Sequence, residues 1–434
     1  MEWYWIAATL FGFLLLFLAI GIPVALSLGL AATSAIYIYI GPHMLIRMAR
    51  VAFEVSNTHI FIVAPLFIFM AGIVSYSDIA EKSFLAATKW LSWMPAALPV
   101  STIAAATVFS SISGSSPATA AAVGYAAVPE MLRHGYNKRL AVGVVAAGGT
   151  LGILIPPSVV MIIYGIITET SIGALFMAGI IPGILLSVMM MGYSIVLCSL
   201  DPNAPRMDHA VTWSERFVSL QGIWPIVILF VVVIGAIYVG IATPVEAAAL
   251  GAVAAIILTF RRPKMGLRGV NRVLVKAAQT TSMVILLIIF GAFFGFAVSV
   301  LGIAHGMIQA IIDANIEPWM VLGSYLIILI LLGCVIDPVS LLIITVPLAF
   351  PVLSELGFDP IWLGVLVTIA VEIGMITPPV GMNLFILKSV VPKEITSRDI
   401  TLGALPFILA LLSGLLIIVA FPPLATWLPT MMAQ

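Results

Sequence analysis

The chain has 434 residues, 62% hydrophobic and 8% charged, with 18 basic side chains balancing 18 acidic ones. A soluble domain carries roughly 25% charged residues, so water is not the main solvent of this protein. With no basic face interleaved with aromatics, nucleic-acid binding is excluded as well.

A bilayer core about 30 Å thick takes roughly 20 apolar residues per helical crossing, and the chain holds many such stretches, which makes it polytopic. The start, Met1-Glu2-Trp3-Tyr4-Trp5, lacks a basic flank and a small-residue cleavage site, and reads as a first span with an aromatic anchor rather than a removable signal. Residues 3–40 are too long for one crossing and predict two helices parted at Gly21-Ile22-Pro23. An amphipathic stretch with Arg47, Arg50 and Glu54 follows, then an apolar segment from Ile60 to Val74. Asp78 to Trp93 is again amphipathic, with Glu81, Lys82 and Lys89 among Trp90 and Trp93, and is expected to lie in the interface. Residues 100–128 are small and hydroxyl-rich around Ser110-Ser111-Ile112-Ser113-Gly114-Ser115-Ser116-Pro117, a poor continuous span. Apolar runs from Leu140 to Thr168 and from Ile172 to Leu200 precede a polar loop to Gln221 and two spans between Ile223 and Phe260. A basic loop (Arg261, Arg262, Lys264, Arg268, Arg272, Lys276) closes this half.

The second half repeats the first. Ser116-Pro117-Ala118-Thr119 is answered by Asp337-Pro338-Val339-Ser340, and Gly152-Ile153-Leu154-Ile155-Pro156-Pro157 by Gly374-Met375-Ile376-Thr377-Pro378-Pro379, at offsets of 221 to 222. Gly135-Tyr136 and Gly357-Phe358 each stand 17 residues before the glycine of the Pro-Pro motif. Together these matches indicate a duplication. The organisation expected is N-terminal scaffold helices (1–59), a first repeat (60–200), a connecting segment (201–272) and a second repeat (273–434). Loop charge further predicts that the copies are inverted. Lys82, Lys89, Arg133, Lys138 and Arg139 lie between residues 78 and 139, whereas 302–361 has no Lys or Arg. Past the Pro-Pro motifs the bias reverses, with Glu169 alone in one copy against Lys388, Lys393 and Arg398 in the other. Positive charge marks the cytoplasmic side, so the 130–139 loop faces in and the 352–361 loop faces out, the arrangement of an alternating-access carrier.

Each copy is broken twice, at Ser116-Pro117 and Ile155-Pro156 and at Asp337-Pro338 and Thr377-Pro378. Ser, Asp or Thr followed by proline is the pattern of a helix start, so three of these four predict half-helices beginning at membrane depth. Free backbone N–H groups there suit an anionic substrate, and unwound carbonyls and hydroxyls suit a hard cation. Hydrocarbon does not tolerate unpaired backbone, so the breaks should line a cavity. No Gly-Lys dipeptide exists, which removes a Walker-type phosphate loop and an ATP-driven pump with it.

Four segments resemble a known family: Pro65 to Gly72, Ser113 to Gly124, Gly148 to Ser158 and Glu372 to Gly381. They are similar to the large membrane subunit of the tripartite ATP-independent periplasmic (TRAP) transporters, the DctM-like family, along essentially the whole chain. The resemblance implies an all-α polytopic membrane protein of the ion-transporter superfamily, an inverted repeat with two re-entrant hairpins and discontinuous helices working as an elevator. It implies a sodium-coupled importer in the bacterial inner membrane, with no cofactor besides the coupling ions. The implied partners are a small four-helix membrane subunit, here expected as a separate chain, and a periplasmic binding protein that hands over a small organic acid. Carried over by position, the hairpin tips lie near 113–119 and 333–340 and the unwound helices near 149–157 and 374–379. The first sodium site would combine Ser113, Ser115 and Ser116 with Gly149, Gly152, Ile155 and Pro156, and the second Gly333, Asp337 and Ser340 with Gly374 and Thr377. Substrate would meet Ser116, Pro117, Thr119, Pro157, Pro338 and Pro379. Asp337 is either a carboxylate ligand or a plain helix cap, and Glu372 an ion ligand, a proton site or a scaffold residue.

Other polar residues have plainer readings. Thr243-Pro244-Val245-Glu246 fits a capping box. His43, His59, His134, His209 and His305 form no pair at metal-ligand spacing, and Cys198 and Cys334 read as small buried hydrophobes. An intramembrane serine hydrolase at Ser113-Gly114-Ser115 would need a base, and no histidine lies in a motif-bearing segment. The alternative transporter is a single-component sodium- or proton-coupled carboxylate carrier of the same fold.

Overall fold

A computed structural model describes residues 2–75, 78–201, 205, 211–260 and 267–432. Arg261, Arg262, Lys264 and His209 lie outside the described residues, as do the side chains of His59 and Arg268. Every regular element among the described residues is helical. Ile172–Ser199, Gly269–Val300, Pro338–Glu355 and Ser397–Ala420 are each long and apolar enough to cross a bilayer unaided, and shorter apolar helices such as Trp3–Ala19 and Pro360–Met375 stand beside them.

The N-terminal stretch splits as its glycine and proline require. Trp3–Ala19 ends at a turn where Gly21 takes φ 84°, and Pro23 leads into Val24–Tyr39. Leu45–Ser56 is amphipathic, burying Met48 and exposing Arg47, Arg50 and Glu54. The other amphipathic piece, Ile79–Leu91, packs on both arms of the following hairpin and buries Ile79, Phe84 and Ala86 there, so its apolar face meets protein rather than lipid.

The predicted poor span is a re-entrant hairpin, hairpin 1, with arms Ala97–Ser113 and Ser116–Arg133. Broken span 1 follows as Lys138–Thr150 and Val159–Thr168, and then the long helix Ile172–Ser199. The same order recurs as hairpin 2 (Pro318–Gly333 and Pro338–Glu355), broken span 2 (Pro360–Met375 and Met382–Val390) and the long helix Ser397–Ala420. Between the copies stand Trp213–Leu220, Trp224–Phe230 with its continuation to Tyr238, and Pro244–Phe260.

The copies interlock. The second arm of hairpin 1 packs on Met382–Val390, and the second arm of hairpin 2 on Val159–Thr168, so each hairpin leans on the far half of the other copy's broken span. Ser397–Ala420 lies along Lys138–Thr150, where Gly143 and Gly403 let the two backbones touch. At its start Asp399 receives Lys138 Nζ at 2.8 Å and Arg139 Nε at 3.5 Å.

Candidate functional site

Tip 1 is short because Gly114 turns the chain at φ 58°, leaving only Gly114 and Ser115 between the arms. Ser113 is bonded to Thr119 hydroxyl to hydroxyl at 2.6 Å, which turns both into the hairpin. Ser115 is the N-cap residue of the second arm, yet its hydroxyl makes no cap bond, so the first N–H groups of that arm have no side-chain partner. Broken span 1 closes over this tip. A Cβ added to Gly152 would fall 2.7 Å from Ser115 O and 2.9 Å from Ser116 Cα, one on Gly149 would fall 2.7 Å from Ala120 Cβ, and one on Gly114 would fall 2.6 Å from Pro157 O. Glycine at these places is what brings backbone oxygens of tip and break together.

Tip 2 is longer, running from Cys334 to Asp337, and Asp337 caps its own second arm by accepting from Val339 N at 3.1 Å and Ser340 N at 3.0 Å. The cap reading of Asp337 is therefore realised in the geometry. Gly333 and Gly374 meet backbone to backbone, since a Cβ on Gly374 would lie 2.7 Å from Gly333 Cα. The Gly381 amide donates to Cys334 O at 2.9 Å, and Thr377 Oγ1 bonds back to Ile373 O at 2.6 Å.

Two expectations need correcting. Gly149 and Gly374 are still helical. The interruptions start later, as a 3-10 turn at Leu151–Ile153 continuing to Ser158, and from Ile376 to Gly381. Glycine alone does not end a helix whose hydrogen-bond acceptors are in place, whereas two successive prolines remove donors and push the preceding residue out of the helical region. For the same reason Thr377-Pro378 does not begin a half-helix: the next one starts at Met382, with Gly381 at its N-cap. Ile155 points its side chain at Gly183 on the long helix, away from tip 1, so only its backbone can serve the site.

Three residues have roles here that the sequence did not assign them. Ser158 caps Val159–Thr168 by accepting from Met161 N at 3.3 Å, and its hydroxyl donates to Ile153 O, which pins the break across itself. Asn383, one residue into Met382–Val390, donates from Nδ2 to Ser116 Oγ at 2.7 Å, and both residues are fully buried. Cys334 matters through its carbonyl rather than its thiol. A lone amide in an apolar helix at membrane depth was the available signal for Asn383. Glu372 is fully buried, with its carboxyl directed at the Ile153 backbone of the first break, though neither oxygen makes a hydrogen bond of ordinary geometry among the described residues.

A cavity of about 1180 Å³ opens elsewhere, between the scaffold (Glu54, Glu246, Phe296) and Glu169, Ile343 and Pro347. It touches neither tip.

The family described as "Tripartite ATP-independent periplasmic transporter, DctM component" matches residues 11–424. The C4-dicarboxylate TRAP transporter large permease protein DctM of Pseudomonas aeruginosa is 35% identical over 408 residues, covering 93% of each chain. The isethionate TRAP transporter permease protein DctMQ of Oleidesulfovibrio alaskensis is 32% identical over 95% of this chain and 65% of that longer protein. In fold, the chain is similar to the solved structure of Neisseria gonorrhoeae MtrF, with a TM-score of 0.60 at 12% identity over 86% of this chain and 82% of that one.

Proposed function

The chain belongs to the DctM component family of the tripartite ATP-independent periplasmic transporters, and from that premise we propose that it moves a small organic acid across the bacterial inner membrane, coupled to sodium. It is a multi-pass membrane permease subunit, and not an enzyme. The observation that carries the ion reading is the pair of glycine contacts, Gly152 on Ser115–Ser116 and Gly374 on Gly333, each setting a hairpin tip against an interrupted helix. Carbonyls freed from helical bonding, with hydroxyls from Ser115, Ser116 and Thr377, make two oxygen-rich half-sites suited to a hard ion without a permanent buried charge. The uncapped start of the second arm at Ser116 offers N–H groups to a carboxylate beside the first of them. Pro117 and Pro157 at one tip, and Pro338 and Pro379 at the other, would border the bound acid, while the Thr119 hydroxyl serves the hairpin itself.

C4-dicarboxylate and isethionate stand in the names of its relatives, so an organic acid is the substrate class, delivered by a periplasmic binding protein to this chain and a small membrane subunit. The two interlocked copies would travel together as the moving body of an elevator against the scaffold helices. The test is uptake into proteoliposomes holding the chain with both partners, under an inward sodium gradient, with potassium in its place, or with ATP alone. Uptake should require sodium and ignore ATP. Equal uptake in potassium would overturn the coupling, and uptake by this chain without partners would favour a single-component carrier.

A further inference from the structure

Two residues at the end of the second break, Gly381 and Asn383, are tied one to each tip. The Gly381 amide donates to Cys334 O of tip 2 at 2.9 Å, and two residues on, Asn383 Nδ2 donates to Ser116 Oγ of tip 1 at 2.7 Å. The stretch between them begins a helix, so its length is fixed by backbone hydrogen bonds and not by a slack loop. Asn383 is fully buried, and its Oδ1 has no partner among the described residues. Because a serine hydroxyl can donate or accept, turning the amide over would leave Nδ2 unpaired instead, so one end stays free in either orientation.

Packing alone does not call for such a group. The residue 222 positions earlier, at the offset relating Gly374 to Gly152, is Met161, an apolar side chain packed at Gly179. The duplicated backbone is thus stable with a thioether here, and the amide serves something the first copy lacks. Tip 1 also needs an outside hold, since Ser115 makes no cap bond, whereas tip 2 is capped by its own Asp337.

We propose that Asn383 is a positioning residue that ties tip 1 to the second break, so that occupancy of one half-site sets the geometry of the other. The inference rests on the sodium reading above for its ligand, but the tie itself does not. Once tip 2 closes on its ion, the Gly381 bond fixes the start of Met382–Val390, and Asn383 then holds the Ser116 hydroxyl where the first half-site needs it. Coupling of this kind is reciprocal, so each ion strengthens binding of the other.

The experiment measures uptake against sodium concentration in proteoliposomes of the complete transporter. The native protein should show a Hill coefficient above one. Asn383→Ala should bring it to about one and raise half-saturating sodium by about fivefold, the loss of one buried hydrogen bond, with the plateau rate kept. Combining it with Ser116→Ala should add little beyond the Ser116→Ala effect, because Asn383 acts only through the Ser116 hydroxyl, which that variant already lacks. Unchanged cooperativity in Asn383→Ala, or effects that multiply in the double variant, would overturn the tie. Should Asn383→Ala fail to fold, hydrogen exchange decides. Thr377→Val, which disturbs only the second break, should speed exchange of the 114–116 amides at tip 1, and native rates there would sink the proposal. If the native protein ignores sodium, the sodium reading fails by itself, while the exchange measurement still judges the tie.

Discussion

Tip 1 and tip 2 descend from one duplicated hairpin, yet they satisfy their chain ends in opposite ways. Tip 2 is self-sufficient: Asp337 caps its own arm through two backbone N–H groups, and Val335 at the turn is 65% exposed. Tip 1 is buried and uncapped, boxed by Gly152 and Pro157 of its own copy and held by Asn383 from the other. The difference shows that duplication preserved where the helices break but not how each break is held. Tip 2 keeps its cap when it opens and gives up the Gly381 bond to Cys334 O, whereas tip 1 has no cap to keep and gives up the Asn383 hold.

The widest separation between the two should come from filling their glycine contacts. In Gly152→Ala the new methyl meets Ser115 O, Ser115 C and Ser116 Cα within 2.9 Å, all backbone with no side chain to move aside. Gly374→Ala meets Gly333 Cα and C within 2.9 Å, but the turn beyond is open on the Val335 side and can shift outward. Overpacking of this kind costs about 1–3 kcal/mol, roughly a five- to hundredfold loss of binding, and the upper end is expected at Gly152. Substrate-dependent sodium uptake in both variants, beside their melting temperatures in detergent, checks this. An equal loss at the two glycines would mean that tip 2 is as rigid as tip 1.

Much of this geometry was legible in local chemistry. Gly21-Ile22-Pro23 marked the first turn, the serine run at 110–116 marked hairpin 1, and the Pro-Pro motifs at matched spacing marked the breaks, because proline and glycine act on the backbone of their immediate neighbours. What the sequence misplaced was reach. Thr377-Pro378 carries the signature of a helix start, but the second proline delays the helix to Met382. Asn383 was overlooked for a different reason: its partner Ser116 is 267 residues away, and the first copy, which revealed the break motifs, has methionine 222 positions earlier.

A smaller effect should separate the tips at their caps. Asp337→Ala removes bonds to Val339 N and Ser340 N, a loss of about 1 kcal/mol for an N-cap, and should raise half-saturating sodium by about fivefold. Asp337→Asn keeps a cap oxygen and removes only the charge. If the residue acts as a cap, the asparagine variant follows the native curve, and if its carboxylate holds the ion, that variant falls as far as alanine.

The smallest disturbance tests whether the two copies point in opposite directions, on which the contrast between their tips depends. The 130–139 and 352–361 loops occupy equivalent places, yet Arg133, Lys138 and Arg139 stand in one and only acids in the other. Asn137 and Asp359 are the obvious places in the sequence for a reporter thiol, but the structure makes each an N-cap, accepting from Arg139 N and Trp362 N. His134 and Ser354 are exposed and lie on the same two loops' approaches; Ser354 is not a cap, and His134 only closes the end of its own helix, with Nδ1 2.9 Å from Glu130 O. In a background with Cys198→Ser and Cys334→Ser, His134→Cys and Ser354→Cys should each leave transport unchanged, with only a small fall in melting temperature for His134→Cys, which loses one exposed bond to Glu130. If positive charge sets orientation, an impermeant maleimide added to intact cells should label Ser354→Cys and spare His134→Cys until the membrane is opened. Labelling of both from one side would place both hairpin bases on the same face. The two tips could then not enter from opposite sides, and the interlock of each hairpin with the other copy's broken span would have to arise from parallel copies, without the inverted pseudo-symmetry on which the contrast between the tips rests.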